Sequence, residues 1–104
     1  MSDETEFLPK LILPLKAEYF NAIKAGTKTT EYRRHTFYWA KRLDDREYSG
    51  IVLTLGYPKA SDTERRIERP WRGFTMQTIT HPHFGPDPVH VYAIDVSPQG
   101  GDTP

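Results

Sequence analysis

The apolar and polar positions along the chain predict a series of short strands interrupted by two short helices. The apolar run at residues 11–15 suits a buried strand, and Pro14 within it places that strand at a sheet edge or near its own end. Residues 17–25 follow a helical period, because Phe20 and Ile23 lie on one stripe of the helix. The chain is therefore expected to begin with a strand followed by an amphipathic helix.

Gly26 and the residues after it predict a junction between this helix and a second strand. Gly26 can take a positive φ without a Cβ clash, which is typical of the residue just past a helix C-terminus. The β-branched and aromatic residues that follow, as far as Tyr32, favour a strand. Side chains alternate along an ideal strand, so Lys28 and Glu31 would lie on opposite faces. They would meet only if the strand began irregularly.

A second helix is predicted over residues 36–43. Thr36 is a suitable N-cap, because its hydroxyl can accept a hydrogen bond from the first turn. Phe37, Ala40 and Leu43 recur at every third position and are expected to form the stripe of this helix that faces the core.

The second half of the chain is predicted to form strands. The most apolar run, residues 49–57, is expected to form a strand central to a β-barrel. Residues 63–69 are dense in charge and fit a solvated hairpin arm or edge strand, with a phosphate-contacting loop as the alternative. Residues 71–80 alternate in strand fashion, and residues 89–96 form the last strand after a proline-rich loop.

Composition narrows the classes of protein that fit this pattern. A chain of 104 residues forms one domain with a modest core. No apolar run approaches the roughly 18 residues that a membrane helix needs, and the acidic start does not fit a secretory signal. We therefore expect a soluble, cytoplasmic monomer that does not bind membranes. The absence of cysteine excludes disulfides, thiolate metal sites and a cysteine nucleophile.

The charge of the chain is balanced overall but unevenly distributed. A formal net charge of zero argues against a protein that coats nucleic acid simply by being basic. Residues 10–42, however, contain eight Lys and Arg against two Glu, a net charge of +6. This third of the chain is expected to form a basic face, or else an ordinary solvated surface of mixed charge.

Lys28 and Glu31 are the strongest candidates for chemistry. A partly desolvated lysine can lose its proton and act as nucleophile or base, and a nearby carboxylate can shuttle that proton. The alternative is an ion pair that fixes the helix to the sheet. His81 and His83 could share a metal, but no third ligand is evident, so we expect neither a metal nor a cofactor.

The segment around Lys28 resembles a known family. The stretch LILPLKAEYFNAIKAGTKTTEYR is similar to the opening of the ASCH domain, a small PUA-like β-barrel family associated with RNA, whose signature is a helix followed by G-x-K-T-x-E-x-R. The residues that fill this signature are Gly26, Lys28, Thr29, Glu31 and Arg33. The resemblance covers residues 11–97 and is strongest before Arg34. The whole chain also resembles small ASCH proteins that are often carried by bacteriophages and prophages.

Two enzymatic branches of the ASCH family bear on Lys28. One removes the acetyl group from 4-acetylcytidine with a lysine in the G-x-K-T position, a threonine three residues later and a more distant glutamate. Lys28 matches that lysine, but Glu31 stands in place of the threonine and no residue is matched to the distant glutamate. The other branch is ribonuclease-like, with lysine, tyrosine and serine implicated, and only Lys28 aligns with it.

The resemblance implies three functions. The first is binding of RNA or a modified nucleoside in a polar pocket centred on the signature. The second is a hydrolase that acts on RNA or a modified nucleoside, with Lys28 and Glu31 as its catalytic residues. The third is a phage-type protein that binds a host protein.

The predicted fold is α+β: a PUA-like, mostly antiparallel β-barrel of five or six strands with two short helices. Residues 11–97 are expected to form the domain, between flexible tails at residues 1–10 and 98–104. Trp39 or Trp71 would supply a stacking surface for an unstacked base; for Trp39 and its neighbour Tyr38 the alternative is core or cover packing. The ligand-binding residues expected besides Lys28 and Glu31 are Thr30, Tyr32, Arg33, Arg34, Trp39, Trp71 and His81.

Overall fold

A computed structural model of the protein describes residues 8–98, which contain two α-helices and six strands. The elements in chain order are β1 (Lys10–Leu15), α1 (Ala17–Ala25), β2 (Thr30–Arg34), α2 (Phe37–Leu43), β3 (Gly50–Leu55), β4 (Arg66–Arg69), β5 (Phe74–Ile79) and β6 (Val89–Asp95). Short 3₁₀ turns occupy Thr63–Arg65 and Pro82–Phe84. The predicted α+β class is confirmed. The predicted tails lie largely outside the described residues.

The strands form two three-stranded sheets. In the first, β3 lies between β1, to which it is parallel, and β4, to which it is antiparallel. In the second, β6 lies between β2 and β5, and both pairings are antiparallel. The mostly antiparallel pairing agrees with the sequence prediction, and β3 is the middle strand of its own sheet. The closed barrel does not, because no backbone ladder joins the two sheets within residues 8–98.

Arginine side chains connect the two sheets where a ladder is missing. Pro14 on β1 has no N–H to donate, and its carbonyl accepts a 3.0 Å hydrogen bond from Nη2 of Arg33 on β2. Arg69 on β4 donates through Nε to the carbonyl of Val96, just past β6, and through Nη2 to the carbonyl of Ile23 on α1. The sheets are thus joined through side chains, and the first of these links borders the candidate site.

The core lies where the two sheets and the two helices pack together. Strand alternation on β1 points three leucines inward, and the central strands β3 and β6 supply most of the remainder. The buried residues of this cluster are Leu11, Leu13, Leu15, Phe20, Ile23, Leu43, Ile51, Leu53, Tyr92, Ile94 and Val96. No helix in this part of the chain has the length and apolar character needed to cross a membrane.

The helix boundaries follow the sequence signals, but the inward face of α2 does not. Gly26 ends α1 with a φ of 85°, and the Thr36 hydroxyl accepts a hydrogen bond from the backbone N–H of Trp39 at the start of α2. Phe37, expected in the core, is 80% exposed. Positions three apart drift around a helix, so the buried face is set instead by Trp39 and Leu43, which are four apart.

Candidate functional site

A cleft of about 440 Å³ lies between α1, β2, α2 and the Pro82–Phe84 turn. It brings together most of the residues that the sequence pointed to. Those that line it are Lys28, Glu31, Tyr32, Arg33, Arg34, Trp39 and His81. A volume of this size is within the usual range of about 300–1,000 Å³ for small-molecule sites.

Two of the expected ligand-binding residues are not in the lining of the cleft. Trp71 packs against Tyr48, with ring centroids 5.1 Å apart, and covers the core. Thr30 is the first residue of β2 and pairs with Asp95 on β6. Trp71 was expected to be a stacking surface, but it packs on the core and is not part of the cleft lining.

Lys28 reaches Glu31 because β2 begins late. The backbone N–H groups of Thr27 and Lys28 both donate to the carbonyl of Ala22, which extends the turn at the end of α1. The strand starts only at Thr30, so Lys28 is outside its alternation and its side chain is not directed to the opposite face. The result is a distance of 3.7 Å between Lys28 Nζ and Glu31 Oε1.

Glu31 is a nearly buried carboxylate that two cations share. Its side chain is only 9% exposed, and its Oε2 accepts a 3.1 Å hydrogen bond from Arg33 Nε and lies 2.9 Å from Arg33 Nη2 in an ion pair. Arg33 also donates to the Pro14 carbonyl and lies 4.9 Å from the ring centroid of Trp39. Arg33 is therefore held on several sides, whereas Lys28 faces Glu31 only at a longer distance. The chain of three charged groups carries one net positive charge.

Two aromatic rings flank the Lys28 ammonium group. Its Nζ is 5.3 Å from the ring centroid of Tyr19 and 5.3 Å from that of Tyr32, within the range of cation–π attraction. Burial raises the pKa of Tyr19, and the carboxylates of Glu18 and Glu31 add to the rise. The Tyr19 hydroxyl therefore stays neutral at physiological pH and can donate a hydrogen bond. The rings and the carboxylate all stabilise a positively charged Lys28.

The His81 and His83 side chains lie at the side of the cleft formed by the Pro82–Phe84 turn. The Nδ1 atom of His81 accepts a 3.0 Å hydrogen bond from the backbone N–H of His83, which leaves Nε2 as the other ring nitrogen available to a ligand. In residues 8–98 no group of three His, Asp or Glu side chains is arranged to hold a metal ion. Both histidines are therefore placed as lining residues.

Several lining residues were not expected from the sequence. Tyr19, Lys16 and Phe84 were not among the residues expected to bind a ligand. Tyr19 could have been found from its spacing, because seven residues are about two helical turns and so place it on the same side of α1 as Gly26, from which the chain continues to Lys28. Lys16 and Phe84 come from the end of β1 and from a loop, whose positions depend on tertiary packing.

Comparisons of the chain with known proteins find no relative. A scan against protein-family models finds no match, and searches of curated proteins and of solved structures find none either. The assignment of function therefore depends on the geometry of the cleft and on the three signature residues that line it, Lys28, Glu31 and Arg33.

Proposed function

We propose that the protein is a PUA-like domain of the ASCH type that binds RNA or a modified nucleoside, with an unstacked base in the cleft. The observation that carries the proposal is the environment of Lys28. A single ammonium group lies between two aromatic rings and 3.7 Å from a nearly buried carboxylate, on the wall of a cleft of about 440 Å³.

The chemistry of the cleft suits a nucleobase. A base has flat apolar faces that stack on aromatic rings, and an edge of hydrogen-bond donors and acceptors. Trp39 and Tyr32 offer ring surface, while Lys28 and the Tyr19 hydroxyl offer donors and Glu31 offers an acceptor. The exposed Lys16 and Arg34 at the cleft are suited to contact phosphates, which position a nucleic acid without reading its sequence.

The same geometry favours binding over hydrolysis. A lysine that acts as nucleophile or base must lose its proton, and its surroundings must make that loss easy. The groups around Lys28 are instead ones that attract a cation: the Glu31 carboxylate, 3.7 Å from Nζ, and the rings of Tyr19 and Tyr32, whose centroids are 5.3 Å from it. A hydrolase acting on RNA or a modified nucleoside is the second candidate, because Lys28 and Glu31 are adjacent and both line the cleft.

The test is a panel of single-stranded RNAs and modified nucleosides, 4-acetylcytidine among them, with binding and product formation measured on the same samples. We expect saturable binding without turnover. RNA affinity should fall steeply with salt, because phosphate contacts release counterions. An interaction that is independent of salt, or no binding to any RNA or nucleoside at low salt, would exclude the proposal. Conversion of 4-acetylcytidine to cytidine would instead establish the hydrolase.

A further inference from the structure

A second concavity, of about 430 Å³, lies along the edge strand β1 and adjoins the cleft. Its lining and that of the cleft share four residues, so the two form one continuous depression in the surface. The shared residues are Pro14, Arg33, Tyr38 and Trp39. We call this second concavity the β1 groove. It extends from the cleft past the exposed Ile12 and is bordered by α2 and by the residues that follow β3.

The β1 groove is rich in aromatic rings and cations. Tyr38 and Tyr57 line it with side chains that are 54% and 91% exposed. Large aromatic side chains that are exposed together in one surface patch are typical of a surface that binds a partner. Lys10 and Arg42 also line the groove, and neither Asp nor Glu is found among its described lining residues.

Arg42 is the cation of the groove that is most available to an anion. Its guanidinium carbon lies 3.5 Å from the ring centroid of Tyr38, and one of its amino groups donates to the Tyr38 carbonyl. In the part of the chain that the structure describes, no carboxylate lies within ion-pair distance of Arg42. Lys10 is loosely paired with Glu68 at 3.9 Å, and both of these side chains are exposed. Arg33, in contrast, is paired with Glu31 and hydrogen-bonded to the carbonyl of Pro14.

We propose that the β1 groove binds the continuation of a single-stranded RNA whose unstacked base occupies the cleft. The inference rests on the function proposed for the cleft and specifies the substrate as a strand, not a free nucleoside. A depression lined by cations without acids calls for a polyanion, and exposed tyrosines beside those cations are the surface on which successive bases stack. Arg42 would contact phosphate, with its plane fixed by stacking on Tyr38, and Tyr57 would stack a neighbouring base.

The test compares a mononucleotide with a single-stranded oligoribonucleotide of about eight nucleotides that contains the same base, a length within the range of known single-strand sites. The variants are Arg42→Ala and Tyr57→Ala. Lys41→Ala is the matched control, because Lys41 precedes Arg42 on α2, is exposed and does not line the groove or the cleft. Thermal unfolding of each variant checks that the fold is retained.

We expect the oligonucleotide to bind more tightly than the mononucleotide. Tyr57→Ala should weaken oligonucleotide binding by at least about fivefold, the lower end for loss of a stacked base, and Arg42→Ala should weaken it through loss of a phosphate contact; both should leave mononucleotide binding unchanged. Arg42→Ala should also lower the slope of log affinity against log salt by about 0.7, the value for one phosphate contact of a single strand. Lys41→Ala should alter none of these quantities.

Three results would overturn the inference while leaving the cleft's function intact. One is a mononucleotide that binds as tightly as the oligonucleotide. The second is an Arg42→Ala protein that behaves like Lys41→Ala, together with an unaffected Tyr57→Ala protein. The third is a duplex of the same sequence that binds as tightly as the single strand. If neither nucleotide ligand binds but an acidic peptide does, with dependence on Arg42, the groove is a protein-binding surface and both proposals fail.

Discussion

The guanidinium of Arg33 donates a 3.0 Å hydrogen bond to the carbonyl of Pro14, and so connects a strand of one sheet to a strand of the other. The same side chain holds Glu31 and faces the ring of Trp39. One arginine therefore both supports the packing of the sheets and fixes the acidic group of the cleft. Its neighbour Arg34 is exposed and lines the cleft without any of these contacts.

Arg33→Ala should lower the free energy of unfolding by about 2–3 kcal/mol. Removing one partner of a nearly buried ion pair destabilises the fold by more than the net contribution of the pair, because the Glu31 carboxylate stays desolvated without its closest cation. Because Arg33 is partly exposed, the loss of stability is smaller than for a fully buried pair. Arg34→Ala is the matched control and should change stability by no more than about 0.5 kcal/mol. Urea denaturation of both variants measures the difference. Equal stabilities would show that Arg33 does not connect the sheets.

Lys28→Met should weaken nucleoside binding by at least about tenfold, since it keeps the length of the side chain but removes the charged donor. Lys28→Arg should keep affinity within about tenfold, because a cation remains between the rings of Tyr19 and Tyr32. Lys59→Met is the control, because Lys59 is exposed in the connection after β3 and does not line the cleft. Isothermal titration calorimetry of the three variants measures these nucleoside affinities.

If Lys28 were a nucleophile or base, Lys28→Arg would abolish turnover and leave binding intact, because a guanidinium stays protonated. Glu31→Gln is the companion variant, which removes the proton acceptor at nearly constant shape. We expect no turnover in the wild-type protein and therefore none to lose. Wild-type conversion of 4-acetylcytidine that both variants lack would assign Lys28 and Glu31 as catalytic residues.

Tyr92 should make the stability of the fold decrease at high pH. Burial, with a 3.0 Å hydrogen bond from its hydroxyl to Asp44 Oδ1, raises the pKa of Tyr92 from 10.0 to about 12. The folded state holds the Tyr92 proton more tightly than the unfolded chain does. The stability that protonated Tyr92 contributes is therefore fully present below about pH 10 and is lost between pH 10 and 12. Tyr92→Phe should remove that part of the pH dependence and cost about 1 kcal/mol at neutral pH.

Because unperturbed tyrosine and lysine side chains in general have pKa values of about 10, the measured quantity is the difference between wild type and Tyr92→Phe. Urea midpoints at neutral pH and at several values between pH 10 and 12 supply it. If the two proteins lose stability in parallel over this interval, burial of the Tyr92 hydroxyl does not contribute to the pH dependence.

The purified protein is expected to carry no stoichiometric zinc. His81 and His83 lie together at the cleft, but one ring nitrogen of His81 is engaged by the backbone, and no cluster of three ligands is found in residues 8–98. A chelator should therefore leave the thermal unfolding temperature and RNA binding unchanged. Elemental analysis that finds one metal ion per chain would contradict this prediction.

The local elements could be predicted from the sequence because their signals are local. Gly26 and Thr36 mark helix ends through their own backbone and side-chain chemistry, and Phe20 and Ile23 form the buried stripe that their spacing indicates. From the sequence, contact between Lys28 and Glu31 could be predicted only for the case in which β2 begins irregularly. That condition is met, since the turn that follows α1 keeps Lys28 out of the strand.

The features that the sequence could not supply depend on contacts between distant segments. The division into two sheets follows from which strands pair, and the parallel pairing of β1 with β3 has no local signal. Phe37 and Trp71 are both aromatic, but packing places one in solvent and the other over the core. The cleft likewise depends on tertiary packing, because its wall at His81 comes from a loop about fifty residues away from Lys28 in sequence.

The fluorescence of Trp39 tests the proposed base-binding cleft most directly. The chain has two tryptophans, and Trp71 does not line the cleft, so the tryptophan fluorescence of a Trp71→Phe protein comes from Trp39 alone. We predict that RNA or a nucleoside from the panel quenches this fluorescence with saturation, and that Lys28→Met in the same background shifts the midpoint at least about tenfold. Saturable binding that leaves Trp39 fluorescence unchanged, or a complete absence of binding at low salt, would contradict the assignment of the cleft as a site for an unstacked base.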